Sequence, residues 1–207
     1  MPPARTTLPD ACVAEALAII AEVGVEGLSL RDVARRLGVS HQAPYKHYPS
    51  RDHLLAEVVG RSFAAFAAEL DRRPRTGDAL ADLRGLGLAY LAYAQAHPLE
   101  YRLMFGTPLP DAARHPAMLV QARAPFSTLQ GALAAVVEAH GGTPDRASID
   151  ADALFVWTAM HGLASTLRTS AMSTLDIAPD VLAGMTDHVL DAIRAALLAP
   201  RSERPPA

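Results

Sequence analysis

A short stretch near the N-terminus concentrates side chains that can contact nucleic acid. Residues 31–51 hold four arginines, two histidines and Lys46, the only lysine of the chain, against one acidic residue, Asp32. Arginine and lysine bind phosphate oxygens and guanine, a glutamine such as Gln42 pairs with adenine, and an alanine methyl such as that of Ala43 fits the thymine methyl. The whole chain has a formal net charge of −3, so the basic stretch is a local feature. It predicts one DNA-contacting surface.

Two short helices joined by a turn would present these side chains. Ser29 and Asp32 have the spacing of a capping box, Gly38 is a helix stop, and Ser40 can cap the next helix. In a helix-turn-helix motif the second helix lies in the major groove and its first residues meet base edges. Residues 29–47 therefore predict this motif. The side chains expected to contact base edges or phosphates are Ser29, Ser40, His41, Gln42, Ala43, Tyr45, Lys46 and His47.

Pro44 is the unusual residue of this motif. Proline lacks the amide hydrogen that would bond the carbonyl four residues earlier in a helix. With Ser40 as the N-cap, Pro44 falls at the fourth helical position, where only the first intrahelical bond is lost. We therefore expect a third helix from Ser40 to about His47, with an exact start that the proline leaves open.

The rest of the chain has the apolar periodicity and punctuation of helices. Asp10 is expected to cap a first helix over 10–23, and Ser50 a long helix to about Arg72. The segment 73–78 is dense in turn formers and predicts a domain boundary. Further helices are expected at about 79–96, 98–105, 115–140, 145–171 and 179–199. Since no alternating strand pattern occurs, the sequence predicts an all-α fold of about nine helices.

Composition narrows the class of protein. The 207 residues are 50% hydrophobic and 20% charged, which permits a buried core and argues against disorder. Cys12 is the only cysteine, so a disulfide framework and a cysteine-based zinc site are excluded. Neither a membrane-spanning run nor a secretion signal is present, so we expect a cytoplasmic protein with no membrane partner. Nucleophile-elbow, zinc-protease, phosphate-loop and dinucleotide motifs are missing, so we expect no catalysis, metal or cofactor.

The run LSLRDVARRLGVSHQAPYKHYPSRDHLLAEVV closely resembles the signature of the TetR family of transcriptional regulators. The shared features are the capped second helix, the Gly-Val-Ser turn, a Tyr-x-x-aromatic pair and the small-basic-acidic start of helix four. The resemblance covers about residues 10–60. It implies base contacts from His41, Gln42, Ala43, Lys46 and His47, and phosphate contacts from Ser29, Arg31, Tyr45 and Arg51.

A second resemblance lies downstream. The segments HPLEYRLMF (97–105) and WTAMHG (157–162) are similar to the ligand domain of a TetR branch named for a Trp/His-Gly pattern. The family resemblance implies a DNA-binding domain over 1–50, to which helix 50–72 connects a ligand-binding and dimerisation domain over 51–200. Residues 201–207 are expected to form a disordered tail.

Proteins of this kind bind palindromic operators as homodimers, usually as repressors, and a small molecule releases the DNA. The resemblance therefore implies a double-stranded DNA operator, a second copy of the chain and a small, largely apolar effector as partners. An alternative from another class is a helical protein–protein adaptor without specific DNA binding. Salt-sensitive binding to a specific duplex would separate the two.

The C-terminal helices contain candidates for an effector pocket, which could equally be plain core. They are Tyr90, Tyr93, Leu103, Met104, Phe105, Met118, Phe126, Phe155, Trp157 and His161. Trp157 and His161 lie on a helix face separate from the main packing stripe, and His161 could supply a polar contact. The last helix has two apolar faces, one containing Val181 and the other Leu190. One face can serve the subunit's own core, so the other predicts a homodimer through the two C-terminal helices.

Overall fold

Helices form the regular structure of the chain. The computed structural model describes residues 7–169, 172 and 174–199, and in them eight α-helices and no strand occur. The α-helices are α1 (Leu8–Val23), α2 (Leu30–Arg36), α3 (Arg51–Arg72), α4 (Ala79–Ala96), α5 (Pro98–Phe105), α6 (Pro116–Ala139), α7 (Arg146–Leu167) and α8 (Pro179–Leu198). Short 3-10 helices lie at Val25–Gly27 and Pro44–Lys46. The predicted all-α class is confirmed.

The N-terminal caps explain where the first helices begin. Thr7, not Asp10 as predicted, is the N-cap of α1, and its Oγ1 accepts a hydrogen bond from the Asp10 amide at 3.3 Å. Pro9 fits the first turn because the first amides of a helix have no helical acceptor. The predicted N-cap of α2 is confirmed, since Ser29 Oγ accepts from the Asp32 amide at 3.0 Å, and the Asp32 carboxylate accepts from the Ser29 hydroxyl at 3.0 Å.

The predicted third helix does not form as an α-helix. The Ala43 amide donates to the Ser40 carbonyl at 2.9 Å, and Pro44–Lys46 then form a single 3-10 turn. Pro44 has no amide hydrogen with which to bond the Ser40 carbonyl, so the tighter bond from Ala43 takes that acceptor. Pro44 thus opens a short turn instead of occupying a helix interior.

The helices of the C-terminal half follow the sequence pattern closely. Both α4 and α5 have the predicted bounds, and α6 and α8 differ from them by at most one residue at each end. Helix α7 ends at Leu167 and not at residue 171, and there the Arg168 amide donates to the Ser165 carbonyl at 3.3 Å. Residues 170 and 171 and the predicted tail at 201–207 lie outside the described residues.

Contacts within the chain define two compact units, each assembled from two separate segments. The first unit contains the residues up to Ala65 together with Leu99–Arg123, and the second contains Phe66–Pro98 together with the residues from Ala124 onward. Helices α3 and α6 therefore contribute to both units. The functional division at residue 50, inferred from the family resemblance, stays a prediction.

Each unit has an apolar core of its own. In the first unit Cys12 and Val33 are fully buried, and burial raises the pKa of the Cys12 thiol. Cys12 is therefore a small core residue of this unit. In the second unit Phe66 and Leu133 are among the largest fully buried side chains. None of the described helices has the length and hydropathy needed to cross a membrane.

Candidate nucleic-acid interface and apolar cavity

Residues 41–47, here called the contact turn, expose most of the side chains predicted to meet DNA. The exposed ones are His41, Gln42, Tyr45, Lys46 and His47. Ala43 is half-buried, whereas Pro44 is fully buried and anchors the turn from the inside. Tyr48, the next residue, is 7% exposed, and its hydroxyl donates to the Pro9 carbonyl at 3.2 Å. Burial raises the pKa of Tyr48 to about 12. The contact turn therefore exposes polar side chains to solvent, while the buried residues Pro44 and Tyr48 hold its backbone in place.

The predicted phosphate contacts beside the contact turn differ in how free their side chains are. Ser40 and Arg31 are exposed, and within the described residues Arg31 has no ion pair. The Ser29 hydroxyl already donates to the Asp32 carboxylate at 3.0 Å. A phosphate oxygen must displace that carboxylate before it can accept from Ser29.

Arg51 has a structural role that the sequence did not reveal. Its Nε donates to the Leu28 carbonyl at 3.0 Å, and its Nη2 donates to the Val25 carbonyl. Both carbonyls lie at the 3-10 helix Val25–Gly27, where the Val25 carbonyl also accepts from the Leu28 amide at 3.1 Å. Arg51 thus ties the start of α3 to the segment before α2. Its implied phosphate contact stays a prediction.

Two further arginines of the basic stretch are held in ion pairs within the chain. Arg36 lies 2.6 Å from Glu22 and 3.3 Å from Glu15, both on α1. Arg35 lies 2.9 Å from Asp32. Hydrogen bonds from these arginines hold the pKa of Glu22 and of Asp32 below their usual values. The uncompensated positive charge of the stretch therefore lies on and beside the contact turn.

A buried histidine that the sequence analysis did not single out connects distant segments of the first unit. His115 immediately precedes α6, and its Nε2 bonds the carboxylate of Asp52 in the first turn of α3. The His115 ring also meets the ring of His53 edge to face, with centroids 4.9 Å apart. Nδ1 of His53 in turn lies 2.9 Å from Ser50 Oγ, at the N-terminus of α3.

The second unit contains an apolar cavity of about 300 Å³, a volume at the lower end of small-molecule sites. Its aliphatic lining includes Leu83, Leu86, Leu129, Val156, Met160 and Ile193. Gly87 lets α4 approach α8 closely, because a Cβ added there would lie 2.8 Å from Leu190 Cδ2. A side chain at this position would therefore compete for the space of the cavity.

Two of the ten predicted pocket residues, Tyr90 and Trp157, line this cavity. Tyr93 and Phe126 pack in the surrounding aromatic group, with the Phe126 ring 5.7 Å from that of Trp157. His161 does not line the cavity. Its Nδ1 lies 3.1 Å from the Tyr90 hydroxyl, and burial lowers its pKa, which favours the neutral imidazole. His161 can therefore hold the Tyr90 hydroxyl in position without lining the cavity itself.

The other five predicted pocket residues lie away from the cavity. Leu103, Met104, Phe105 and Met118 belong to the first unit, where the Phe105 ring packs 5.6 Å from that of Phe63. Phe155 is 46% exposed on α7. The apolar pattern of α5 does not distinguish between packing in one unit and packing in the other.

Both α7 and α8 have exposed apolar side chains, among them Leu154 and Phe155 on α7. Of the two apolar faces of α8, the one with Leu190 and Ile193 is buried within the chain. On the other face Val181 is 60% exposed. Gly184 and Ala192 are also exposed there, and such small side chains permit close helix packing.

Residues 13–58 match the family described as bacterial regulatory proteins, tetR family. Residues 83–198 match the tetracyclin repressor-like, C-terminal domain, and this match alone spans more than half of the chain. The chain belongs to the TetR family. The description of the C-terminal match does not name the Trp/His-Gly branch, so that assignment stays a prediction.

Mycobacterial regulators are similar to parts of this TetR-family chain. The HTH-type transcriptional regulator Mb1846 of Mycobacterium bovis is 33% identical over 92 residues, which cover 42% of this chain and 38% of that protein. The HTH-type transcriptional repressor KstR of Mycolicibacterium smegmatis is 38% identical over 61 residues, 30% of each chain. The matched segments thus span about two fifths or less of these relatives. Both relatives are transcriptional regulators, and the prediction that the chain is not an enzyme is confirmed.

Two solved structures align with nearly the whole chain. A protein of unknown function from Rhodococcus sp. RHA1 has a TM-score of 0.69 at 28% identity, covering 95% of this chain and 96% of that one. A transcriptional regulator from the same organism has a TM-score of 0.66 at 24% identity, covering 94% and 100%. Both similarities support the all-α fold. At 24% identity, the similarity to the second structure is evidence for the fold only.

Proposed function

We propose that this TetR-family chain is a ligand-responsive transcriptional repressor. It binds a palindromic DNA operator as a homodimer and releases the DNA when a small, largely apolar molecule occupies the cavity. The observation that carries the proposal is the contact turn, which exposes five polar side chains from a backbone anchored by buried Pro44 and Tyr48. Base recognition needs donors and acceptors held in fixed register, and this arrangement supplies them.

The residue types of the contact turn suit both base and phosphate contacts. Gln42 can pair with the edge of adenine and Lys46 can donate to guanine, while the half-buried Ala43 methyl can meet a thymine methyl. The Tyr45 hydroxyl and the guanidinium of Arg31 reach phosphate oxygens from the same surface. Together they provide sequence recognition and the salt-dependent part of the affinity.

Dimerisation through α7 and α8 would provide the two DNA-binding domains that a palindromic operator requires. Leu154 and Phe155 on α7 are 59% and 46% exposed, and Val181 on α8 is 60% exposed. A two-fold interface buries the same surface of both copies, so one apolar face is sufficient. Two half-sites one helical turn apart on DNA are separated by about 34–36 Å, which the dimer must match.

Release of DNA follows if the effector binds more tightly to the arrangement that cannot hold DNA. A ligand shifts such an equilibrium only by its difference in affinity for the two states. The cavity in the second unit is the site from which this shift would originate. Helix α6 contributes Pro125 and Leu129 to its lining, and its first residues belong to the first unit.

Selection of bound fragments from genomic DNA, followed by fluorescence anisotropy, tests this proposal. We expect a short inverted repeat to be enriched and its affinity to fall steeply as salt rises, because phosphate contacts release counterions. Binding to any duplex with equal affinity, or no binding at all, would instead favour the protein–protein adaptor.

A further inference from the structure

Four charged side chains line the apolar cavity, and three of them are engaged within the chain. The Asp78 carboxylate is the N-cap of α4 and accepts hydrogen bonds from the Leu80 and Ala81 amides at 2.9 and 3.2 Å. Arg84 and Asp191 form an ion pair with an N–O distance of 3.1 Å. Exposed side chains in the lining mark the place where the cavity meets solvent, so the charged residues lie at its mouth.

Arg194 is the fourth charged residue of this lining. It lies on α8, one turn after Asp191, and its side chain is exposed. Within the described part of the chain, no carboxylate or carbonyl oxygen pairs with its guanidinium. Among the charged side chains of the lining, Arg194 is therefore the one that no ion pair or hydrogen bond of the described residues engages.

Arg84 can provide a second guanidinium. Its two partners, Asp187 and Asp191, have side chains that are 73% and 70% exposed, whereas Arg84 is 38% exposed. Exposed ion pairs of this kind contribute little free energy, because water solvates the separated charges well. An incoming carboxylate can therefore replace one aspartate on Arg84 at small cost.

We propose that the effector of this cavity is an amphipathic carboxylate. Its apolar body lies among the aliphatic side chains, and its carboxylate lies at the mouth against the guanidinium groups of Arg194 and Arg84. A guanidinium binds a carboxylate through two parallel hydrogen bonds, and burial of the apolar body provides the larger part of the affinity. This inference rests on the proposed function, in which the cavity is the effector site.

A cationic ligand fits the same mouth less well. Its partners would be Asp78 and Asp191, and each is already used. A cation at Asp78 would compete with the α4 amides that this carboxylate caps, and a cation at Asp191 would compete with Arg84, whereas a carboxylate at Arg194 displaces no partner in the described residues. A neutral ligand would fill the cavity but would leave the guanidinium of Arg194 unused.

Three ten-carbon probes that differ in their head groups test the inference. Decanoate, decan-1-ol and decylamine are titrated into the wild-type protein, and the fluorescence of Trp157, the only tryptophan and part of the lining, reports binding. We expect decanoate to bind about tenfold or more tightly than decan-1-ol, as for a charge-assisted hydrogen bond. Arg194→Ala should remove most of this preference and leave the decan-1-ol affinity unchanged.

Arg146→Ala is the matched control, because Arg146 is 81% exposed on α7 and does not line the cavity. Three results would overturn the inference. Decanoate and decan-1-ol could bind with equal affinity, or decylamine could bind more tightly than decanoate. The third is a preference for decanoate over decan-1-ol that survives both Arg194→Ala and Arg84→Ala. If decan-1-ol still quenches Trp157 and releases operator DNA in those cases, the cavity remains the effector site. If no probe changes the fluorescence, both the inference and the effector role of the cavity fail, while DNA binding is measured independently by anisotropy.

Discussion

His115 Nε2 lies 2.7 Å from Asp52 Oδ2, and this contact joins the residue before α6 to the first turn of α3. The His115 side chain is 6% exposed, so Asp52 is the partner that satisfies a buried ring nitrogen. The hydrogen bond from His115 is the main reason why the pKa of Asp52 lies below its usual value. The pair therefore links the stability of the first unit to pH.

The direction of that linkage leads to the first prediction. A carboxyl whose pKa is lower in the folded than in the unfolded state contributes stability above its unfolded pKa, and the contribution is lost as pH falls through the folded pKa. Asp52→Asn should therefore reduce the loss of thermal stability between pH 5 and pH 2, since the amide does not titrate. Melting temperatures across this range measure it. Asp176→Asn, in an exposed loop, is the control, and an identical pH profile for wild type and Asp52→Asn would contradict the prediction.

Arg51 and Arg31 should respond differently to removal, although both were predicted from the family resemblance to contact phosphate. Arg51→Ala removes the side-chain donor of the Leu28 carbonyl and the second donor of the Val25 carbonyl, and should cost about 1–3 kcal/mol of unfolding free energy. Arg31→Ala should change that free energy by about 0.5 kcal/mol or less, because Arg31 is exposed and has no ion pair in the described residues. Urea denaturation of both variants decides the point. Equal stability of the two would argue against the structural role of Arg51.

Gly87 and Gly85 form a matched pair on α4. An alanine Cβ at Gly87 would lie 2.8 Å from Leu190 Cδ2, whereas at Gly85 it would meet nothing within 4 Å. Gly87→Ala should therefore push Leu190 into the cavity and weaken probe binding. Gly85→Ala should leave binding unchanged and raise helix stability by up to about 1 kcal/mol. Titrations followed by Trp157 fluorescence test both, and unaltered affinity in Gly87→Ala would show that the ligand binds elsewhere.

The exposed apolar surface of α7 and α8 should carry the dimer. Light scattering at micromolar concentration should give twice the chain mass of 21.9 kDa for the wild type. Phe155→Asp and Val181→Asp place a charge on that surface and should lower the mass toward the monomer. Val120→Asp alters an equally exposed valine on α6, at 66% exposure, and should remain dimeric. A wild-type mass of 21.9 kDa would contradict the prediction.

Helix bounds could be predicted well because their signals are local. Asp78 caps α4 through amides two and three residues away, and His97-Pro98 separates α4 from α5 within a few positions. The contact turn was harder, because Pro44 determines which residue bonds the Ser40 carbonyl, and this choice depends on the burial of the proline ring. Periodicity alone could not distinguish a 3-10 turn from one turn of α-helix.

Long-range contacts were the part that the sequence could not indicate. Arg51 bonds carbonyls more than twenty residues away, and His115 bonds Asp52 across 63 positions. Neither pairing follows from a regular spacing of residues along the sequence, so a single sequence does not reveal it. For the same reason the apolar residues of α5 were predicted as pocket residues, whereas Leu103 and Met104 are core residues of the first unit.

The salt dependence of operator binding tests the central claim, that the contact turn binds DNA, most directly. A cationic side chain that lies against the DNA neutralises phosphate charge and releases counterions, which adds to the slope of log affinity against log salt concentration. We expect a steep negative slope for the wild type, and a slope smaller by about one for Lys46→Ala at unchanged thermal stability. Arg146→Ala, at an exposed residue of α7, should keep the wild-type slope. A Lys46→Ala variant with the wild-type affinity and slope would remove the contact turn from the DNA interface.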